Sequence, residues 1–119
     1  PIVARIADGR TASGRFRNVS SYVSATGIEV DTSFGPVEAE MSFGGAFYAS
    51  VAIDDLGVTV ASENVGDLIA LGREVKVALA GHGSAVHPTD DRLSGCYGTI
   101  LHETPGADPL HQRNVTIFA

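Results

Sequence analysis

The sequence predicts an α+β domain in which a curved, mostly antiparallel sheet packs on one main helix. Three observations carry this. Strand-like runs alternate with tight-turn signals up to Ile53, one stretch after Asn64 switches to a helical period, and two further strand-like runs follow.

Ile2 to Ile6 and Thr11 to Val23 are apolar-rich runs separated by Asp8-Gly9, a pair that tolerates positive φ and marks a hairpin; Phe16 and Val19 are the expected apolar anchors of the second run. A second hairpin is predicted at Gly35-Pro36. Beyond it Val37, Ala39 and Met41 alternate with Glu38, Glu40 and Ser42, the period of a half-buried strand. Gly44-Gly45 interrupts, and Ala46 to Ile53 follows as a nearly continuous apolar run, the pattern of a strand covered on both faces.

From Asn64 the spacing of Val65, Leu68, Ile69, Val75 and Leu79, with Gly72 on the same stripe, predicts one helix. Asn64 is its expected cap, Asp67 suits its positive end and Gly81 its stop. His87-Pro88 and the polar residues through Asp91 read as a loop, because a residue before proline is pushed out of helix. Tyr97 to Leu101 and Arg113 to Phe118 read as strands. The chain begins at Pro1 and stops at Ala119 directly after a strand-like run, so residues 1–119 are read as a single partial domain with cut ends.

The composition excludes several classes of function. With 44% apolar and 18% charged residues, the 119-residue chain is neither disordered nor membrane-like, and it has no run of the roughly 20 apolar residues that a membrane span needs. A net charge of −6 without any basic cluster argues against nucleic acid; Arg15 and Arg17, predicted on one side of a strand, come nearest to one. A lone cysteine, Cys96, excludes an internal disulfide or a thiolate-rich zinc site and fits a cytoplasmic location.

Residue chemistry alone nominates little. Glu38 and Glu40 share one side of a strand but read as a solvated face. Asp54-Asp55 and Asp90-Asp91 are adjacent residues whose side chains diverge. His82 and His87, followed by Asp90, superficially resemble a metal-ligand spacing, but the helix stop at Gly81 would separate them and no third ligand has a diagnostic spacing, so no metal is expected; His102 and His111 read as exposed loop residues. Cys96 stands between Gly95 and Tyr97 without a neighbouring base and reads as a structural thiol. Gly81-His82-Gly83 follows a helix, where a dinucleotide fingerprint should follow a strand.

Five segments in order, Phe16 to Val23, Phe43 to Ala49, His87-Pro88, Tyr97 to Leu101 and Arg113 to Ala119, resemble the second half of proline racemase family enzymes. The resemblance implies one half of a two-half, diaminopimelate epimerase-like fold with proline or a hydroxyproline held between the halves, and neither pyridoxal phosphate nor metal. In epimerising members two cysteines face opposite sides of the substrate Cα, one removing a proton while the other delivers one. The family places them in a Met-Cys-Gly-His type motif upstream and an Asp-Arg-Ser-Pro-Cys-Gly type motif a few residues beyond the position of Phe118-Ala119. Neither motif occurs here, so no catalytic residue is assigned to this chain.

Two substrate-binding positions carry over. Phe118 matches an aromatic that walls the pyrrolidine ring, and Tyr97 matches a position where some epimerases place a substrate-contacting histidine. The alternative for both is an ordinary core aromatic. The resemblance implies a racemase or epimerase, with trans-3-hydroxy-L-proline dehydratase as the alternative, since Phe47-Tyr48 and Tyr97 to Leu101 look more like that branch. Rival readings are a diaminopimelate epimerase type, for which the motifs differ, and a non-catalytic binding or structural domain. An isolated half is expected to self-associate, and the full-length enzyme to be a homo-oligomer.

Overall fold

The computed structural model describes residues 2–119; Pro1, read above as a cut end, lies outside them. The described residues form β1 (Ile2–Ala7), β2 (Arg10–Phe16), β3 (Tyr22–Thr32), β4 (Gly35–Phe43), β5 (Phe47–Ala52), α1 (Val65–Ala78), β6 (Cys96–His102) and β7 (Asn114–Ile117), with short 3₁₀ turns on either side of α1. β1 and β2 make a two-stranded sheet, and β3 to β7 lie side by side in chain order as a second sheet. Neighbours in the larger sheet are antiparallel except β5 and β6. A parallel pair needs a long crossover, and α1 lies in that crossover. The α+β prediction with one main helix on a mostly antiparallel sheet therefore holds.

The helix covers one face of the large sheet. Met41, Phe47, Ala49, Val51 and Leu101 from the strands meet Leu68, Leu71 and Val75 from α1 in a single buried cluster, completed by Ile117 from β7. Gly72 lets α1 approach β7 closely, since a Cβ there would stand 2.6 Å from the Ile117 side chain. The buried Thr99 hydroxyl ties the same contact by donating to the Gly72 carbonyl at 2.9 Å. A buried hydroxyl needs such a partner, and among the described residues no buried side-chain polar atom lacks one.

Several local expectations are corrected. Thr11 to Val23 is not one strand: β2 ends at Phe16 and β3 begins at Tyr22. Between them the Asn18 side chain accepts from the Val19 N–H at 2.9 Å, a local bond that competes with strand pairing. Phe16 and Val19 are not anchors, being 63% and 54% exposed, and Arg17 lies beyond the strand that holds Arg15. The second hairpin turns at Ser33-Phe34, and Gly35-Pro36 already belongs to β4, with Thr32 paired to Gly35. Thr32 decides this by donating its hydroxyl to the Gly35 carbonyl at 2.6 Å while accepting from the Phe34 N–H. Glu74 of α1 also accepts from the Ser33 N–H and hydroxyl, at 2.7 and 2.6 Å.

β5 is covered on one face only: Phe47, Ala49 and Val51 are buried while Tyr48 and Ser50 are half-buried and Ala52 is exposed. Asn64 does not cap α1; its amide nitrogen donates instead to the Thr59 carbonyl and hydroxyl. The buried stripe of α1 is Leu68, Leu71, Gly72 and Val75, whereas Val65 and Ile69 are exposed, and the helix ends at Ala78, ahead of Gly81. His102 closes β6 instead of lying in a loop, and its ring lies 3.1 Å from the Gln112 amide. The Asp8-Gly9 hairpin stands as predicted, with φ of 50° and 72°, and Glu38 and Glu40 are solvated.

Candidate substrate-binding site

Strand alternation sends every second side chain of the large sheet away from α1. The cross-strand pairs Ser42 with Tyr48 and Tyr48 with Gly98 form one row on that open face. Thr99 pairs with Ile117, so the next residue, Phe118, falls beside Gly98 at the end of the same row. Tyr97 should face the helix by simple alternation. It does not, because the register between β5 and β6 steps from Phe47–Cys96 to Tyr48–Gly98 and leaves Tyr97 as the extra residue of a bulge. Bulges re-aim side chains, and this one sends Tyr97 to the open face while Cys96 keeps contact with the core.

The result is a three-ring cluster. Tyr97 and Phe118 lie 5.5 Å apart between ring centroids, Tyr48 and Tyr97 5.8 Å, and Tyr48 and Phe118 6.3 Å, all edge to face. Such separations and tilts are the favoured ones for aromatic pairs. Tyr97 and Phe118 remain 57% and 56% exposed, so they are not core aromatics within this chain. The sequence named both; the structure brings them together and adds Tyr48, which sequence reasoning passed over as part of an apolar strand. Its signal was available only as the aromatic doublet Phe47-Tyr48 at a strand start. The Lys76 ammonium donates to the Phe118 carbonyl at 2.6 Å and fixes the end of β7 against the last turn of α1.

Beside the cluster, on the same face, an open groove of about 480 Å³ is lined by Val23, Ser42, Tyr48 and Ile100 among others. The remaining candidates stand elsewhere. The His82 ring engages Ser84, and His87 accepts from the Asp90 N–H at 3.1 Å with its ring against Phe43. His111 pairs with Asp108 on the exposed loop before β7. Among the described residues no group of three or more His, Cys, Asp and Glu side chains gathers as a metal site would require. Cys96 is half-buried, and burial pushes its thiol above the usual cysteine range, which opposes thiolate formation.

Residues 2–119 match the family model described as proline racemase. Trans-3-hydroxy-L-proline dehydratase of Colwellia psychrerythraea is 40% identical over 106 residues, covering 87% of this chain and 30% of that protein. Trans-L-3-hydroxyproline dehydratase of Xenopus tropicalis is 36% identical over 115 residues, covering 93% of this chain and 32% of that protein. Among solved structures, a probable proline racemase from Agrobacterium radiobacter K84 with bound carbonate superposes with a TM-score of 0.80 at 26% identity, over 97% of this chain and 34% of that one. A hydroxyproline epimerase from Agrobacterium vitis with bound trans-4-hydroxy-L-proline gives a TM-score of 0.78 at 28% identity, over 97% and 33%. The chain thus spans about a third of the length of the curated relatives it matches.

Proposed function

The chain belongs to the proline racemase family, and on that premise we propose that the full-length protein abstracts the Cα proton of a proline-type ring, with this chain supplying the aromatic wall. The observation that carries the reading is the Tyr97–Phe118 pair. These are the two positions the family resemblance nominated, and they stand 5.5 Å apart on an uncovered sheet face. Aromatic edges and faces suit the methylene groups of a pyrrolidine ring, and the Tyr97 phenol supplies a polar group at a position where some relatives use histidine.

Between the two outcomes of proton abstraction, we favour elimination. The two dehydratases above are 36% and 40% identical to this chain, whereas the racemase and epimerase structures are 26–28% identical. In that reaction the Cα–H bond breaks, its electron pair forms a C2–C3 double bond, and the C3 hydroxyl leaves with a proton as water. The second reading is racemisation or epimerisation, in which the proton is replaced on the opposite face. It is favoured by the TM-score of 0.78 with the hydroxyproline epimerase. In either case the acid and base groups lie outside these residues, and the chain is one partial domain of a two-half enzyme that works without metal or pyridoxal phosphate. A cytoplasmic homo-oligomer completes the proposal. Among the described residues no helix is long and apolar enough to cross a membrane.

The test is proton NMR of the full-length protein in D₂O with trans-3-hydroxy-L-proline, trans-4-hydroxy-L-proline and L-proline in turn, with and without a chelator. Dehydration predicts loss of the C3 carbinol signal of trans-3-hydroxy-L-proline. Epimerisation predicts deuterium at Cα with a new diastereomer. No change in any of the three rings contradicts the assignment, and inhibition by the chelator contradicts the metal-free mechanism.

A further inference from the structure

We propose that Tyr48 and Gly98 are specificity-determining positions of this substrate site. Tyr48 forms the wall that faces the groove, and Gly98 sets the spacing of the rings. The inference rests on the reading that the aromatic cluster receives a proline-type ring, and it adds two residues that the family resemblance did not nominate.

The argument starts from the cross-strand row. Gly98 sits between Tyr48 on β5 and the Phe118 end of β7, and its backbone is buried beneath them. A Cβ at Gly98 would stand 2.9 Å from the Ile117 carbonyl oxygen and 3.3 Å from both Phe118 Cδ1 and Tyr48 Cε1. The first distance is shorter than real Cβ contacts allow, and the offending atom is backbone, which cannot swing aside. Both rings therefore converge on the one position of the row that lacks a side chain, and anything larger than hydrogen there would move them.

Tyr48 also belongs to two surfaces at once. It packs edge-on to Tyr97 and Phe118, and it lines the groove with Val23, Ser42 and Ile100. Tyr48 is the third ring of the cluster, so a five-membered ring seated against Tyr97 and Phe118 would have Tyr48 beside it on the groove side. The Tyr48 ring thus gauges the far side of the substrate, at a width fixed by Gly98. The competing explanation is purely structural: aromatic neighbours across a sheet can cover a glycine and stabilise the strands without touching any ligand. The two explanations differ in what they predict for substrate affinity.

In the full-length enzyme, turnover of trans-3-hydroxy-L-proline is measured for Y48L, Y48F and G98A beside melting temperature. We expect Y48L and G98A to raise KM by about tenfold with kcat changed by less than about threefold, and Y48F, which keeps the ring, to fall between wild type and Y48L in KM. A Y48L protein that binds and turns over substrate like wild type overturns the proposal, whatever its melting temperature. If Y48L fails to fold, nitration of Tyr48 by tetranitromethane in the wild-type enzyme decides, read by peptide mass spectrometry. Substrate at saturation should slow nitration at Tyr48, and an unchanged rate overturns the proposal. A wild-type enzyme active on none of the three rings is a different failure, which removes the substrate class and this inference with it.

Discussion

The two faces of the five-stranded sheet are built from the same strands, residue by alternating residue, yet they do different things. Toward α1 the row Met41, Ala49, Thr99, Ile117 is buried, as are Val51 and Leu101. Away from α1 the rows Ser42, Tyr48, Gly98 and Glu40, Ser50, Ile100, Thr116 carry half-buried or exposed side chains at every position but the buried Gly98, together with the three-ring cluster. The covered face binds the helix and supplies stability. The open face shows aromatic surface that helix packing does not use. One bulge shifts Tyr97 from the first set to the second, which is how the strand order yields a cluster that simple alternation would have scattered.

This comparison can be broken in a graded series. The largest effect is expected on the covered face: Leu71→Ala should cost about 2–5 kcal/mol by denaturant unfolding, because Leu71 is fully buried between α1 and the sheet. On the open face Phe118→Ala should raise KM by about 10–100-fold, equivalent to about 1.4–2.7 kcal/mol of lost binding. A large loss of stability in F118A with no effect on KM would make Phe118 a core residue and dissolve the distinction between the faces. Thr99→Val removes one buried hydrogen bond to the Gly72 carbonyl while keeping the shape of the side chain. It should cost about 1 kcal/mol of stability and leave KM alone.

Smaller effects sharpen the account away from both faces. Burial raises the Cys96 thiol, so at neutral pH it is protonated. Alkylation by iodoacetamide should be slow, and Cys96→Ala should retain activity within about twofold of wild type. Rapid alkylation accompanied by loss of activity would restore Cys96 as a working nucleophile. Asp54 is held below the usual carboxylate range by the Thr104 N–H, then by the Thr104 hydroxyl. A depressed carboxylate contributes stability that is present above its unfolded value and lost as pH falls through the folded one. Asp54→Asn should therefore flatten a slight acid-side loss of melting temperature, visible below about pH 4, and an unaltered acid limb would remove that role.

The elements were legible in the sequence because each rests on a local period. Val37, Ala39 and Met41 announced a half-buried strand, and Asp8-Gly9 a hairpin. What was not legible depends on partners far along the chain. Whether Tyr48 lies in the core or beside Phe118 is decided by its pairing with Gly98, fifty residues away, and by an extra residue that only the β5–β6 register reveals. The same holds for α1. The sequence shows that a stripe exists, but Ile69 was counted and Leu71 missed because the sheet selects which apolar residues face it. Asn64 was misread for a related reason: its amide nitrogen donates to the Thr59 carbonyl and hydroxyl, which holds the side chain toward Thr59, and its oxygen accepts no N–H of the first helical turn. Phe118 and Tyr97 were reached through family resemblance, since no spacing in the sequence marks either as a ligand contact.

The central claim, that the open face receives the substrate ring while the covered face holds the fold, is tested most directly by tyrosine-ring and leucine-methyl NMR. The full-length enzyme would be titrated with trans-3-hydroxy-L-proline, with assignments made by Y48F, Y97F and conservative Leu71 variants. The predicted result is saturable shifts at Tyr48 and Tyr97 with the Leu71 methyls unmoved. Shifts confined to the covered face, or none at either tyrosine at saturating substrate, would contradict it.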